Sequence, residues 1–201
     1  MNDQINHKIC VIGCGNWGRN HIRTLYELNA LGGIVDSNEH TLKYTSEKYP
    51  SIPAYNTVSK ALETNDYSGY VVSTPAESHY EIALVIINAG CHVLVEKPVT
   101  LQIEEVMHLK KCAEASGVNL MAGHVLLFHP AIQKIKELIE SGVIGELQYI
   151  YSNRLNLGVV RTEENVFWSL APHDIAIFQY FTESKPEKIT SNGGVFLQDE
   201  I

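Results

Sequence analysis

The feature that most constrains this chain is a run of three glycines, Gly13-Cys14-Gly15-Asn16-Trp17-Gly18, set between two regular segments. Residues 8–12 (KICVI) before it form a short apolar run that reads as a buried strand. Residues 19–31 after it place Ile22, Leu25 and Leu28 on one helical stripe. A strand, a tight glycine turn and a helix in that order match the fingerprint of a dinucleotide-binding unit. Gly13 allows the turn, Gly15 lets a pyrophosphate approach the backbone, and Gly18 allows the helix to pack closely on the strand. The helix start near Asn16 offers free N–H groups to phosphate. The run alone could equally be a glycine-rich turn that binds nothing. Asp36 weighs against that reading, because it stands 21 residues after Gly15 at the end of a second short strand, residues 33–36. A carboxylate there accepts hydrogen bonds from ribose hydroxyls and repels a 2′-phosphate, which favours NAD over NADP. Its alternative is a solvated turn Asp ahead of Ser37-Asn38.

The alternation continues. Helical patterns are expected at 41–49, 59–63, 80–89 and 103–115, and strands at 70–73, 92–95 and 118–122. Gly117 is the expected stop after residues 103–115. Strands that are apolar throughout, joined to helices by short connections, predict a parallel, doubly wound sheet covered on both faces. The pattern changes near Gly123. Pro130 opens an amphipathic helix over 131–141. Residues 146–157 and 188–197 read as strands, and 175–181 as a helix. The expected fold class is α/β, a Rossmann domain over 1–122 followed by an incomplete α+β open-sheet domain over 123–201.

The chain has 201 residues and carries 15 Lys+Arg against 23 Asp+Glu, a net charge of −8. That balance, with no basic run, argues against nucleic acid as a partner. No apolar stretch reaches the roughly 20 residues of a membrane helix. The N-terminus lacks a signal-peptide pattern, so a cytoplasmic location is expected. Cys10, Cys14, Cys91 and Cys112 are then free thiols, and without a C-x-x-C pair they suggest no metal site.

Further candidates follow the later strands. Ser73-Thr74-Pro75 and His79 stand at a strand's carboxyl end, where open α/β sheets bind ligands, although strand-end turn chemistry explains them as well. Glu96-Lys97-Pro98 follows the strand HVLV. A Lys there can reach a nicotinamide and take part in proton transfer, although a lone Lys after a strand is commonly a surface residue. His173, in the run WSLAPHDI at 168–175, is either a base near a substrate hydroxyl or a satisfied core His, with Asp174 a helix-start carboxylate. On the strand expected at 146–157, Arg154 and Asn156 share one face, where a polar ligand is one candidate partner. Tyr149, Tyr151 and Leu155 share the other and suggest core or a subunit interface.

Together these segments resemble the Gfo/Idh/MocA family of sugar dehydrogenases. The motifs are GCGNWG at 13–18, STPAESH at 73–79, EKP at 96–98, GHVLLFHP at 123–130 and GVIGELQYI at 142–150. YSNRLNLG at 151–158 and FWSLAPHDI at 167–175 are similar to the branch that includes UDP-N-acetylglucosaminuronate 3-dehydrogenases. The resemblance implies NAD-dependent oxidation of a hydroxyl on a sugar or nucleotide sugar. It implies Lys97 and His173 as catalytic residues. Gly13, Gly15, Asn16, Trp17, Asp36, Ser73, Thr74, His79, Glu96 and Lys97 become cofactor contacts, and Lys97 and His173 substrate contacts, beside which the strand face read above adds Arg154 and Asn156. Where many members carry an Asp four residues before the His, this sequence has Ser169. The family's second domain is a broad open sheet through which members associate, so a homo-oligomer formed by that sheet is expected. Ile201 falls after only its second expected strand. The alternative expectation is therefore a truncated, inactive dinucleotide-binding module, or one part of a split enzyme.

Overall fold

The computed structural model describes residues 7–64, 66–155 and 166–194. They divide into two compact units, Met1–Gly123 and His124–Ile201.

The first unit alternates strand and helix. Its strands are β1 (Ile9–Ile12), β2 (Leu31–Val35), β3 (Ala54–Tyr55), β4 (Gly69–Val72), β5 (His92–Val95) and β6 (Leu120–Ala122). Its helices are α1 (Gly18–Glu27), α2 (Glu39–Lys48), α3 (Val58–Glu63), α4 (His79–Asn88) and α5 (Ile103–Ser116). The strands form one six-stranded sheet in the order β3-β2-β1-β4-β5-β6, and every pairing is parallel. This is the doubly wound order, with its reversal between β1 and β4, where a crevice opens beyond the carboxyl ends of the strands.

Alternation along the strands builds two cores. Cys10, Ile12, Tyr70 and Val72 face one side, under Ala61 of α3, Ala83, Ile86 and Ile87 of α4, and Leu109 and Ala113 of α5. Val11, Ile34 and Val71 face the other, against Ile22 of α1 and Tyr49. Both faces being covered explains why β1, β2 and β4 are almost wholly buried. Ile86, Ile87 and Leu109 have no solvent exposure, and truncating any one to Ala would cost about 2–5 kcal/mol.

Element ends follow local chemistry. The Asn38 side chain accepts from the Thr41 N–H at 3.0 Å and caps α2. Gly117, with φ 67°, closes α5 in the left-handed region. Helix α1 stops at Glu27, short of the residue 31 expected, because Asn29 turns left-handed (φ 56°) and Ala30 N–H closes on Leu25 O at 2.8 Å. That frees Leu31 to enter the sheet. Strand β3, two residues long, is too short to carry a periodic signal in the sequence.

The second unit contains α6 (Pro130–Glu140) and α7 (Val166–Thr182). His129 caps α6 by accepting from Ala131 N–H at 3.1 Å, with Pro130 in the first turn. Lys136 of α6 reaches Glu183 just past α7 at 2.7 Å. Two expectations are corrected here. Residues 146–155 and 188–194 form no strand. A strand exists only in a ladder, and among the described residues none pairs with these segments. Tyr149, Tyr151 and Leu155 stand 79%, 75% and 89% exposed rather than in a core. The sheet through which subunits were expected to associate therefore has no strand among the described residues. The second correction is α7, which begins at Val166, ahead of Pro172. A proline inside a helix is disfavoured, so the sequence placed the helix after it. His173 and Asp174 lie inside α7 rather than at its start. Among the described residues no helix is long and apolar enough to cross a membrane.

Candidate functional site

A cleft of about 370 Å³ opens at the carboxyl edge of the first unit's sheet. It is lined by Gly13 and Gly15 after β1, Asp36 after β2, Asn56 and Thr57 between β3 and α3, and Ser73 and Thr74 after β4. These are the loops flanking the point where strand order reverses.

The glycine turn is shaped by what surrounds it. Gly13 has φ +92°, and a Cβ there would lie 2.7 Å from Ser73 O; a Cβ on Gly18 would fall 1.8 Å from Gly13 O. No side chain fits at either point. Gly15 differs, since a Cβ there would meet nothing within 4 Å. That open space over the backbone is what a pyrophosphate needs. Two contacts hold the turn in place. Ser73 Oγ lies within bonding distance of both Ile12 O and Gly13 O (3.1 and 3.0 Å). Cys14 N–H donates to Asp36 Oδ2 at 2.7 Å, while Asn38 N–H donates to Oδ1 at 2.8 Å. Each carboxylate oxygen keeps a second lone pair for a ribose hydroxyl. Burial, then the charge of Asp36, pushes the Cys14 thiol up to about 12, so this cysteine is a packing residue and not a nucleophile. Open backbone over Gly15, Asp36 at the rim and cleft size together fit the adenosine and pyrophosphate portions of NAD.

The other expected cofactor residues are placed differently. Asn16 is exposed on the turn. Trp17 is 47% exposed, yet its indole N–H donates to Glu96 Oε1 at 2.5 Å. Glu96 is 6% exposed and also bonds His21 Nε2 through Oε1 at 2.7 Å, while Lys97 N–H reaches Oε2 at 3.2 Å. Burial works to raise the Glu96 carboxyl, but the His21 and Trp17 bonds outweigh it and hold it below its ordinary value. His79 is 1% exposed, with Nδ1 2.8 Å from Pro98 O and Nε2 2.8 Å from Thr74 O. It straps the loop after β4 to the loop after β5, where a cis peptide joins Lys97 and Pro98. Lys97, partly buried, stands two residues past the end of β5.

In the second unit Asp174 of α7 accepts from Arg154 Nε at 2.9 Å and Nη2 at 3.1 Å, and from Ser152 Oγ at 3.0 Å. The Arg154 guanidinium holds the Asp174 carboxyl below its ordinary range against the opposing effect of burial. Arg154 and His173, next to Asp174, thus belong to one neighbourhood. Asn156 lies outside the described residues. Among the described residues no three His, Cys, Asp or Glu side chains stand together as metal ligands.

Sequence reading missed Asn56 and Thr57, whose short strand gives no pattern, and His21. The spacing of His21 from Trp17, one helical turn, was the available signal.

Comparison with known proteins agrees with this geometry. Residues 7–124 match the family described as an oxidoreductase family with an NAD-binding Rossmann fold. The chain is 28% identical, over 98% of its length and 61% of the relative's, to a UDP-N-acetylglucosamine 3-dehydrogenase from Acidithiobacillus ferrooxidans. A solved probable dehydrogenase from Thermotoga maritima is 25% identical with a TM-score of 0.84, over 96% of this chain and 60% of that one. The WlbA dehydrogenase from Bordetella pertussis, solved with NADH and UDP-GlcNAcA, is 25% identical with a TM-score of 0.64, over 68% of this chain and 40% of that one. The chain spans about three fifths of the length of the first curated relatives it matches. With a glycine turn, Asp36 at the cleft rim and a family match over residues 7–124, the chain belongs to the Gfo/Idh/MocA family of NAD-binding oxidoreductases.

Proposed function

We propose that this chain carries the NAD-dependent oxidation of a hydroxyl on a sugar, in particular a nucleotide-linked sugar, to a keto group. One observation carries the reading. Gly15, Asp36, Ser73 and Thr74 surround a single cleft, and Lys97 follows the next strand of the same sheet edge. The relatives named for nucleotide sugars support the substrate class.

NAD, when bound, supplies the hydride acceptor. The chain's own residues do the rest. The turn N–H groups and Gly15 hold the pyrophosphate, and Asp36 holds the ribose and disfavours a 2′-phosphate. Lys97 Nζ takes the hydroxyl proton, with His173 as the second acid/base residue and Arg154 as a substrate contact. Most of the rate comes from holding donor carbon and acceptor together. We place this chemistry in the cytoplasm.

The test is titration with NADH and NADPH followed by tryptophan fluorescence, then a screen of nucleotide sugars for NADH production. Saturable binding that prefers NADH, with turnover lost in Lys97→Ala, is the expected result. Full turnover in Lys97→Ala would overturn the role of the lysine. Binding without turnover of any sugar would leave a dinucleotide-binding module and overturn the dehydrogenase reading.

A further inference from the structure

Glu96 joins parts of the first unit that are far apart in sequence. Trp17 comes from the glycine turn, His21 from the first turns of α1, Lys97 from the end of β5, and Gly123 from the end of β6. Oε1 takes the Trp17 and His21 bonds and Oε2 takes the Lys97 N–H. A Cβ on Gly123 would lie 2.9 Å from Oε2, so the far side of the carboxylate is walled by backbone. A carboxylate that is 6% exposed is costly unless its lone pairs are filled. Here three donors occupy three of the four lone-pair positions, two on Oε1 and one on Oε2.

We propose that Glu96 is a positioning residue whose buried carboxylate couples the turn that takes the cofactor pyrophosphate, through the Trp17 indole, to the backbone of Lys97. The inference rests on the function proposed above for Lys97. Nucleotide on the turn shifts Trp17, the shift reaches Oε1, and the opposite oxygen moves the Lys97 amide with it. The lysine is therefore set in place when the cofactor is present. The chemistry of a carboxamide shows why a carboxylate is required. Gln at 96 offers one oxygen and one NH2, so it satisfies either the Trp17 and His21 side or the Lys97 side and sets donor against donor at the other.

The test uses 1H–15N spectra of the full 201-residue chain, following the Lys97 amide and the Trp17 indole signals. In the wild type both are expected to move together as NADH is added, with one midpoint. Trp17→Phe deletes a single donor and keeps an aromatic ring. It should displace the Lys97 amide signal in the free protein and abolish its response at saturating NADH. Glu96→Gln should do the same. If Glu96→Gln does not fold, Trp17→Phe alone decides the matter. A Lys97 amide that stays in place in free Trp17→Phe, or that answers NADH there as in the wild type, overturns the coupling. If NADH binds none of the proteins, the cofactor reading falls. The free-state comparison then still decides whether Trp17 sets Lys97 through Glu96.

Discussion

The backbone N–H of Cys14 donates to the carboxylate of Asp36 at 2.7 Å, across 22 residues of sequence. The residue we propose to read the ribose therefore also fixes the turn we propose to take the pyrophosphate. A charged acceptor bound to an N–H is worth roughly 1.5–3 kcal/mol. Asp36→Ala loses that contact along with the ribose bonds proposed for Asp36. It should weaken NADH binding by about 10-fold to 100-fold and shrink the preference for NADH over NADPH. Fluorescence titration with both nucleotides measures this, and an unchanged preference would contradict the ribose role.

Two glycines of the same turn should behave oppositely. Gly18→Ala puts a methyl 1.8 Å from Gly13 O, a backbone atom that cannot yield, so folding and nucleotide binding should fail together. Gly15→Ala meets open space and should change stability by no more than about 1 kcal/mol, while the methyl obstructs the pyrophosphate. Thermal melting beside NADH titration separates the two effects.

His79 is buried with a carbonyl oxygen at each ring nitrogen. His79→Ala leaves a cavity and removes the ring N–H that the tautomer directs at the Thr74 or the Pro98 carbonyl. A loss of about 2–4 kcal/mol is expected, read from urea unfolding. A stability equal to wild type would show that the strap contributes nothing.

The Glu96 and Asp174 carboxyls are both held below their ordinary values of 4.5 and 3.8. A depressed folded value means stability that is present above the ordinary value and lost as pH falls through the folded one. Melting temperature should therefore hold down to about pH 4.5 and drop below it. In Glu96→Gln the acid limb should be shallower. An identical limb in both proteins would remove Glu96 from the account.

Burial raises the thiols of Cys10, Cys14 and Cys91, that of Cys14 to about 12. Little thiolate exists there at pH 8. Iodoacetamide should label Cys112 first in the native chain, and Cys10 and Cys14 only after unfolding, as mass spectrometry of the labelled peptides would show. Rapid native labelling of Cys14 would mean that the turn opens.

The sequence by itself determined most of the first unit, β3 excepted. Strand–turn–helix order, apolar strands and the spacing from Gly15 to Asp36 are local or periodic signals, and they carry the parallel sheet, its covered faces and the dinucleotide turn. Tertiary structure decided what each polar side chain touches. Trp17 and His21 meet Glu96 only because β5 lies beside β4, itself beside β1, in the sheet. His79 meets Pro98 only because α4 starts at the sheet edge where the neighbouring strand β5 ends. In the second unit residues 146–155 alternate like a strand and yet form none, since pairing is a property of two segments and periodicity of one. Pro172 stands inside α7, which runs from Val166 to Thr182 although local preference disfavours a proline there.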